Sequence, residues 1–343
     1  MPSLGKIVVL RFSAMGDVAM VASVLHEFAI QNPKVQIVMV SREAFKAFFD
    51  EIPNLTFHAL LPKTTHKGIG GLYTLFKELQ RYQPNAIADL HDNLRSRLLS
   101  TFFRFTGIRI KRIDKGRAEK KALTRSRHKV LKPLKLTVER YADVFKSIGF
   151  KLQLTHKLKN RDKELPIAAA AFFKSDSVKI GISPFAQHSY KVYPMAKMES
   201  VVAALDALNY AVFIFGGGNA EKEIAISWEN KFSHVINLIG KFNLAEELAI
   251  IGHLDLMVSM DSSGMHMASL MGVPVLSIWG PTHPYAGFLG YGQKMEDCIQ
   301  IDHPQRPNSI YGNKPCYCGD EPCIDKIEPS IIVNKIKEKL THG

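Results

Sequence analysis

Short apolar runs alternate with longer stretches of helical periodicity along this chain. Ile7–Phe12 is apolar, Ser13–Asp17 is a polar turn, and Val18–Ile30 carries apolar positions at helical spacing. The same reading places strands at Val35–Val40, Leu55–Leu61 and Ala86–Leu90, and helices at Glu43–Phe49, Leu72–Arg81, Asn93–Phe105 and Thr137–Gly149. After a less regular stretch over 150–177, a second series begins. Its strands are Val178–Ser183, Ala211–Phe215, Val235–Leu238, a run ending before Asp261, and Val275–Ile278; its helices are Ala196–Leu208, Ala220–Lys231, Leu244–Ile251 and Met265–Met271. Short apolar strands separated by helix-length segments signal βαβ units and parallel sheets. The pattern therefore predicts an α/β protein with two Rossmann-like domains facing a central cleft. Their boundaries are set at 1–160 and 175–343, with the polar run Lys157–Glu164 as linker. A last helix, Pro329–Leu340, is expected to pack back against the first half.

The 343 residues suit two domains of about 150 each. Hydrophobic content of 46% with 22% charged residues is ordinary for a soluble chain. No apolar run approaches the roughly 18–20 residues that span a bilayer. The start, Met1-Pro2-Ser3-Leu4-Gly5-Lys6-Ile7, lacks a basic segment followed by an apolar core, so no signal peptide and a cytoplasmic location are expected.

Charge changes the picture at one place. The chain carries a net charge of +13, and Arg109–Lys135 holds twelve Lys/Arg against two acids, Asp114 and Glu119. Such a stretch is either a solvated loop or a grip for an anion: nucleic acid, an anionic membrane surface or a phosphorylated substrate. No aromatic stacking platform or nucleic-acid motif accompanies it, so nucleic acid is not the expected partner.

Candidate chemistry collects at strand ends. Asp17 stands where the first strand turns into its helix; it is a helix cap or a general base. Lys191 is the only cation of the loop Ser183–Pro194, and is either a surface lysine or a phosphate contact. Gly216-Gly217-Gly218 permits close backbone approach to a ligand. The segment Asp261-Ser262-Ser263-Gly264 leads from a strand into a helix, and free N–H groups at a helix start attract anions. His266 on that helix would by itself be structural. Cys298, Cys316, Cys318 and Cys323 all fall late in the chain. A C-x-C-x4-C spacing could hold zinc with a fourth ligand, but free thiols are the expected state, and disulfides are not expected in the cytosol.

Together R-F-S-A-M-G-D-V, the K-V-Y-P of Lys191–Pro194, and D-S-S-G-M-H-x-A-x-x-x-G-x-P-x-L-x-I-W-G-P-T resemble glycosyltransferase family 9. These are the heptosyltransferases that build the lipopolysaccharide inner core from ADP-heptose. The tail Y-G-N-K-P-C-Y-C-G-D-E-P-C-I also looks like the cysteine-bearing end of family members. The resemblance implies a GT-B fold, with the acceptor on the first domain and the nucleotide sugar on the second. Asp17 matches the family's catalytic base and Lys191 its phosphate-contacting lysine, with Gln187 in the same loop. Glu221 matches an acidic residue near the nucleoside, and Phe242 an apolar contact to the base. Asp261, Ser262, Ser263, Gly264 and His266 match the donor-binding turn. In the family the glycine more often follows D-[S/T] directly, whereas here it falls one place later.

What this implies is an inverting transferase. Asp17 would take the acceptor proton, and Lys191 with the helix start at 262–264 would stabilise the departing diphosphate without cofactor or metal. Arg109, Lys111, Arg112, Arg117, Lys120 and Lys121 are then expected to hold a phosphorylated Kdo–lipid A acceptor at the inner face of the inner membrane. A monomer is expected. The alternatives are a nucleotide-sugar 2-epimerase of the same architecture and, less favoured, a nucleic-acid-binding protein using the basic stretch.

Overall fold

The β-branched and aliphatic runs become strands buried on both faces, as strands covered by crossover helices must be. In the computed structural model, which describes residues 5–161 and 163–342, the first sheet has the order β3-β2-β1-β4-β5. Its strands are β1 (Lys6–Leu10), β2 (Gln36–Arg42), β3 (Leu55–Leu60), β4 (Ala86–Asp89) and β5 (Arg109–Arg112), all parallel. Helices α1 (Met15–Gln31), α2 (Gly68–Gln80) and α3 (Leu94–Arg104) follow in turn. Then come α4 (Arg117–Thr124) and α5 (Thr137–Ile148), which stops at Gly149 in the left-handed region. One face of the sheet packs Val8, Leu10, Val38 and Ile87 against Leu72, Leu75, Leu79, Leu99 and Phe103. On α1 and α5, Phe28 and Phe145 meet with ring centroids 4.6 Å apart. Glu43–Phe48 is a 3₁₀ segment where a helix is expected from the sequence.

The second sheet runs β11-β10-β9-β6-β7-β8. Its strands are β6 (Lys179–Ser183), β7 (Ala211–Ile214), β8 (Val235–Asn237), β9 (Leu256–Met260), β10 (Val275–Trp279) and β11 (Cys298–Gln300), again all parallel. Its helices are α6 (Ile167–Ala170), α7 (Met195–Asp206), α8 (Asn219–Lys231), α9 (Leu244–Gly252), α10 (Ser263–Met271) and α11 (Pro329–His342). Helix α11 packs against α7, with Ile332, Val333 and Ile336 buried in the second sheet's own core, where the sequence reading expected the first half.

The chain divides into two compact units. One holds the residues up to Lys115 with Lys135–Thr155; the other holds Gly116–Leu134 with everything from His156. The basic segment is thereby divided between the two units. Leu123 and Leu134 form a cluster with Ala286, and Lys129 Nζ donates to the carbonyls of Gln305 and Pro307 at 2.6 and 2.9 Å. Residues 157–161 lie along the second unit: Arg161 N donates to Met271 O, and Gly272 has Lys159 O where a Cβ would sit. Residues 1–4 and Asp162 lie outside the described residues, and with them part of the expected leaderless start and of the expected linker. Among the described residues, no helix is long and apolar enough to cross a membrane.

Candidate functional site

In an open parallel sheet the crevice opens where neighbouring strands lead off in opposite directions. In the first unit that point lies between the carboxyl ends of β1 and β4, and the polar side chains gather there. Asp17, in the first turn of α1, accepts a long 3.4 Å bond from Ala14 N and pairs with the guanidinium of Arg11. Asp17 thus caps its helix weakly and stands as a carboxylate at the strand end. Arg11 is buried, donates to Leu90 O at 2.8 Å, and lies over the ring of buried Tyr141. Burial pushes the Tyr141 phenol above its ordinary range.

From β4, His91 accepts the Phe12 N–H at its Nδ1 (3.0 Å) and pairs through Nε2 with Asn93 (3.0 Å). Burial, aided by Arg11 and Lys115, pushes its pKa down to about 3. It is a neutral strut for the loop. Beneath them Asp89, wholly buried, accepts from His91 N, Asp92 N and Ser96 Oγ. Sequence reading missed Arg11, His91 and Asp89. The available signal was Asp89 inside the apolar run Ala86–Leu90 and the polar H-D-N that follows it.

In the second unit Lys191 Nζ lies 2.9 Å from Asp261 Oδ2. Asp261 directly follows β9, and α10 begins two residues later behind Ser262, whose side chain caps none of the helix N–H groups. Ser259 Oγ sits 3.4 Å from Ser262 Oγ. A Cβ on Gly264 would meet Ser183 Oγ and Cβ at 2.4 and 2.5 Å, so only glycine lets the start of α10 close onto β6. The shifted glycine is therefore placed by packing. Gly312, at φ +74, lies against the stem of Lys191: a Cβ there would meet its Cγ and Cδ at 2.2 and 2.3 Å. Glu221, at the start of α8, accepts from Gly217 N at 2.7 Å and so orders the glycine turn. Gln187 is exposed, Phe242 half-buried before α9, and His266 and Ser263 lie on α10.

The six cations assigned to the acceptor do not form one patch on the first unit. Arg109, Lys111 and Arg112 are exposed on the edge strand β5, where Arg109 donates to Ile148 O at 2.6 Å and Arg112 lies 3.4 Å from Asp89. Arg117, Lys120 and Lys121 lie on α4 in the second unit. Lys120 is buried, its ammonium 4.2 Å from the centre of the Phe288 ring.

Two features of the tail were not foreseen. Arg306 is buried and donates to the carbonyls of Gly280, Trp279, Thr282 and Ile301 and to Gln300 Oε1, tying the exits of β10 and β11 together. Cys318 and Cys323 form a disulfide, correcting the expectation of free thiols; Cys298 and Cys316 are free.

Residues 72–311 match the family model for glycosyltransferase family 9 (heptosyltransferase). The chain is 25% identical over 285 residues to the lipopolysaccharide core heptosyltransferase OpsX of Haemophilus influenzae, covering 80% of this chain and 79% of that one. Its fold is similar to a glycosyl transferase family 9 structure from Veillonella parvula, at TM-score 0.75 and 19% identity, covering 100% of this chain and 99% of the other. It is also similar to the ADP-heptose LPS heptosyltransferase II of Escherichia coli, at TM-score 0.72 and 18% identity over 98% of each chain.

Proposed function

The chain belongs to glycosyltransferase family 9, the heptosyltransferases, with two parallel-sheet α/β units of the GT-B class, and on that premise we propose that it moves a heptose or related sugar from an ADP-linked donor to the lipopolysaccharide inner core. Support for this donor and acceptor is the E. coli relative, an ADP-heptose LPS heptosyltransferase. The observation that carries the reading is Lys191 beside Asp261 at the uncapped start of α10. A cation and free helix N–H groups at one strand end suit a diphosphate.

In the proposed step an acceptor hydroxyl oxygen attacks the anomeric carbon, and the carbon–oxygen bond to the diphosphate breaks with inversion. Asp17 takes the hydroxyl proton. Lys191 and the α10 N-terminus balance the charge that builds on the leaving diphosphate, so this step calls for no metal. On the first unit, exposed Lys111 and Arg112 of β5 favour a phosphorylated acceptor at the inner face of the membrane.

The test is incubation of purified protein with ADP-heptose, with and without Kdo–lipid A, followed by mass spectrometry. A heptose added to the lipid and released ADP, both dependent on acceptor, are expected. A sugar altered without acceptor, as an epimerase would do, or no transfer to any core acceptor, would overturn the reading.

A further inference from the structure

The tail folds back on itself at its cysteines. Cys323 N donates to Cys316 O at 2.8 Å, Cys318 N donates to Glu321 O at 3.0 Å, and Tyr317 bridges Pro322 in antiparallel fashion. Cys316 and Cys318 are two residues apart on one arm and so share a face; Cys323 stands on the other arm. All three are buried. Cys316 Sγ lies 3.7 Å from Cys323 Sγ. One ring nitrogen of His303 and the sulfurs of Cys318 and Cys323 lie within 4.8 Å of one another.

We propose that His303, Cys316, Cys318 and Cys323 form a tetrahedral site for a borderline-soft divalent cation of the Zn²⁺ class, and that the Cys318–Cys323 disulfide is its oxidised, metal-free form. Three sulfurs and an imidazole are the donors such a cation prefers. In a tetrahedron with metal–sulfur bonds of about 2.3 Å, neighbouring sulfurs stand about 3.8 Å apart. The 3.7 Å between Cys316 and Cys323 matches that edge. A disulfide by itself explains neither the third buried sulfur nor the imidazole converging on the pair.

Three thiolates, a neutral imidazole and a dication sum to one negative charge, and the ammonium of Lys129 stands close by, donating to the same Gln305 carbonyl that Cys316 Sγ faces. Ligation through Nε2 would move the ring proton to Nδ1 and give up its long 3.3 Å contact with Gln305 N. Opening the disulfide takes two electrons and two protons, supplied by a dithiol that closes to its own disulfide. The cation then displaces the three thiol protons into solvent. The site holds the tail against the loop carrying Lys191: Tyr190 and Val192 share the wall of one cavity with Cys316, Pro322 and Ile324.

The full chain, purified under dithiothreitol without chelator, is loaded with Zn²⁺ alone and, separately, with Co²⁺ alone. About one zinc per chain by elemental analysis is expected, with the strong visible bands of tetrahedral thiolate-bound cobalt. Cys316→Ser and His303→Ala should each weaken Zn²⁺ binding by at least about tenfold in competition with a chromophoric chelator. Reduced protein that takes up no stoichiometric zinc, a weak octahedral cobalt spectrum, or unchanged affinity in both variants would overturn the proposal. Should the variants fail to fold, the wild-type cobalt spectrum decides. None of these readouts depends on glycosyl transfer, so they stand or fall apart from the proposed reaction.

Discussion

The ammonium of Lys191 lies 2.9 Å from a carboxylate oxygen of Asp261, and both side chains are largely buried. The pair spans the loop after β6 and the end of β9, so a residue distant in sequence fixes where the lysine's charge is presented. An arriving diphosphate would share that ammonium with Asp261.

Lys191→Met should therefore weaken binding of an ADP-sugar by about 10–100-fold, the scale of one lost charge-assisted hydrogen bond. It also leaves Asp261 unpaired, so thermal stability should fall, and Asp261→Asn in the same chain should recover part of that loss. Calorimetric titration with ADP-heptose checks the first effect. Unchanged affinity would remove Lys191 from the donor site.

Asp17→Asn keeps the shape of the side chain and removes the proton acceptor. Turnover should drop by about 10²–10⁴-fold, the usual contribution of a positioned base, with donor affinity nearly unchanged. Full turnover in the variant would rule Asp17 out as the base and leave it as a helix cap paired with Arg11.

Gly264→Ala places a methyl group inside contact distance of Ser183 and Ser259. It should destabilise the protein by about 1–3 kcal/mol, the cost of overpacking a tight site. Adding Ser183→Gly removes the obstructing hydroxymethyl and should restore much of the melting temperature. An alanine variant as stable as the parent would mean that α10 moves off β6 freely.

Acid should loosen the first unit through His91. Its pKa falls from an ordinary 6.5 to about 3 in the folded chain, so unfolded molecules bind the proton first as pH drops. The corresponding stability is complete above pH 6.5 and is lost as pH falls toward 3. By pH 5 the loss is about 2 kcal/mol. His91→Asn, which retains an acceptor but cannot titrate there, should flatten the decline in melting temperature between pH 7.5 and 5. His283, pushed down to about 4 by burial, will contribute a similar slope that the variant does not remove.

Most strands and helices were legible because burial on both faces writes long apolar runs into the chain. The strand β5, Arg-Ile-Lys-Arg, was not, since it lies at a sheet edge with its charges in solvent. Helix α4 was hidden for a related reason: Leu123 is its only wholly buried side chain, and its partner Ala286 lies far away in sequence. Lys191, Asp261 and Gly264 could be singled out because strand-end turns have characteristic residues. That Lys191 and Asp261 touch, and that Gly312 props the lysine, depends on segments folding back from elsewhere. Arg11 and His91 escaped notice because the one sits inside the run Ile7–Phe12 and the other directly follows Ala86–Leu90, so each looks like the polar end of a strand.

The allotment of Gly116–Leu134 to the second unit bears on how the molecule can be taken apart. The polypeptide passes from one unit to the other at three places, after residues 115, 134 and 155. A fragment ending near Thr155 would carry α4 without Ala286 and Phe288, leaving Leu123 and Leu134 bare and prone to aggregate. A chimera that exchanges the first unit with that of a relative must graft two separate stretches around 116–134, and must leave that insert with the half it is folded onto.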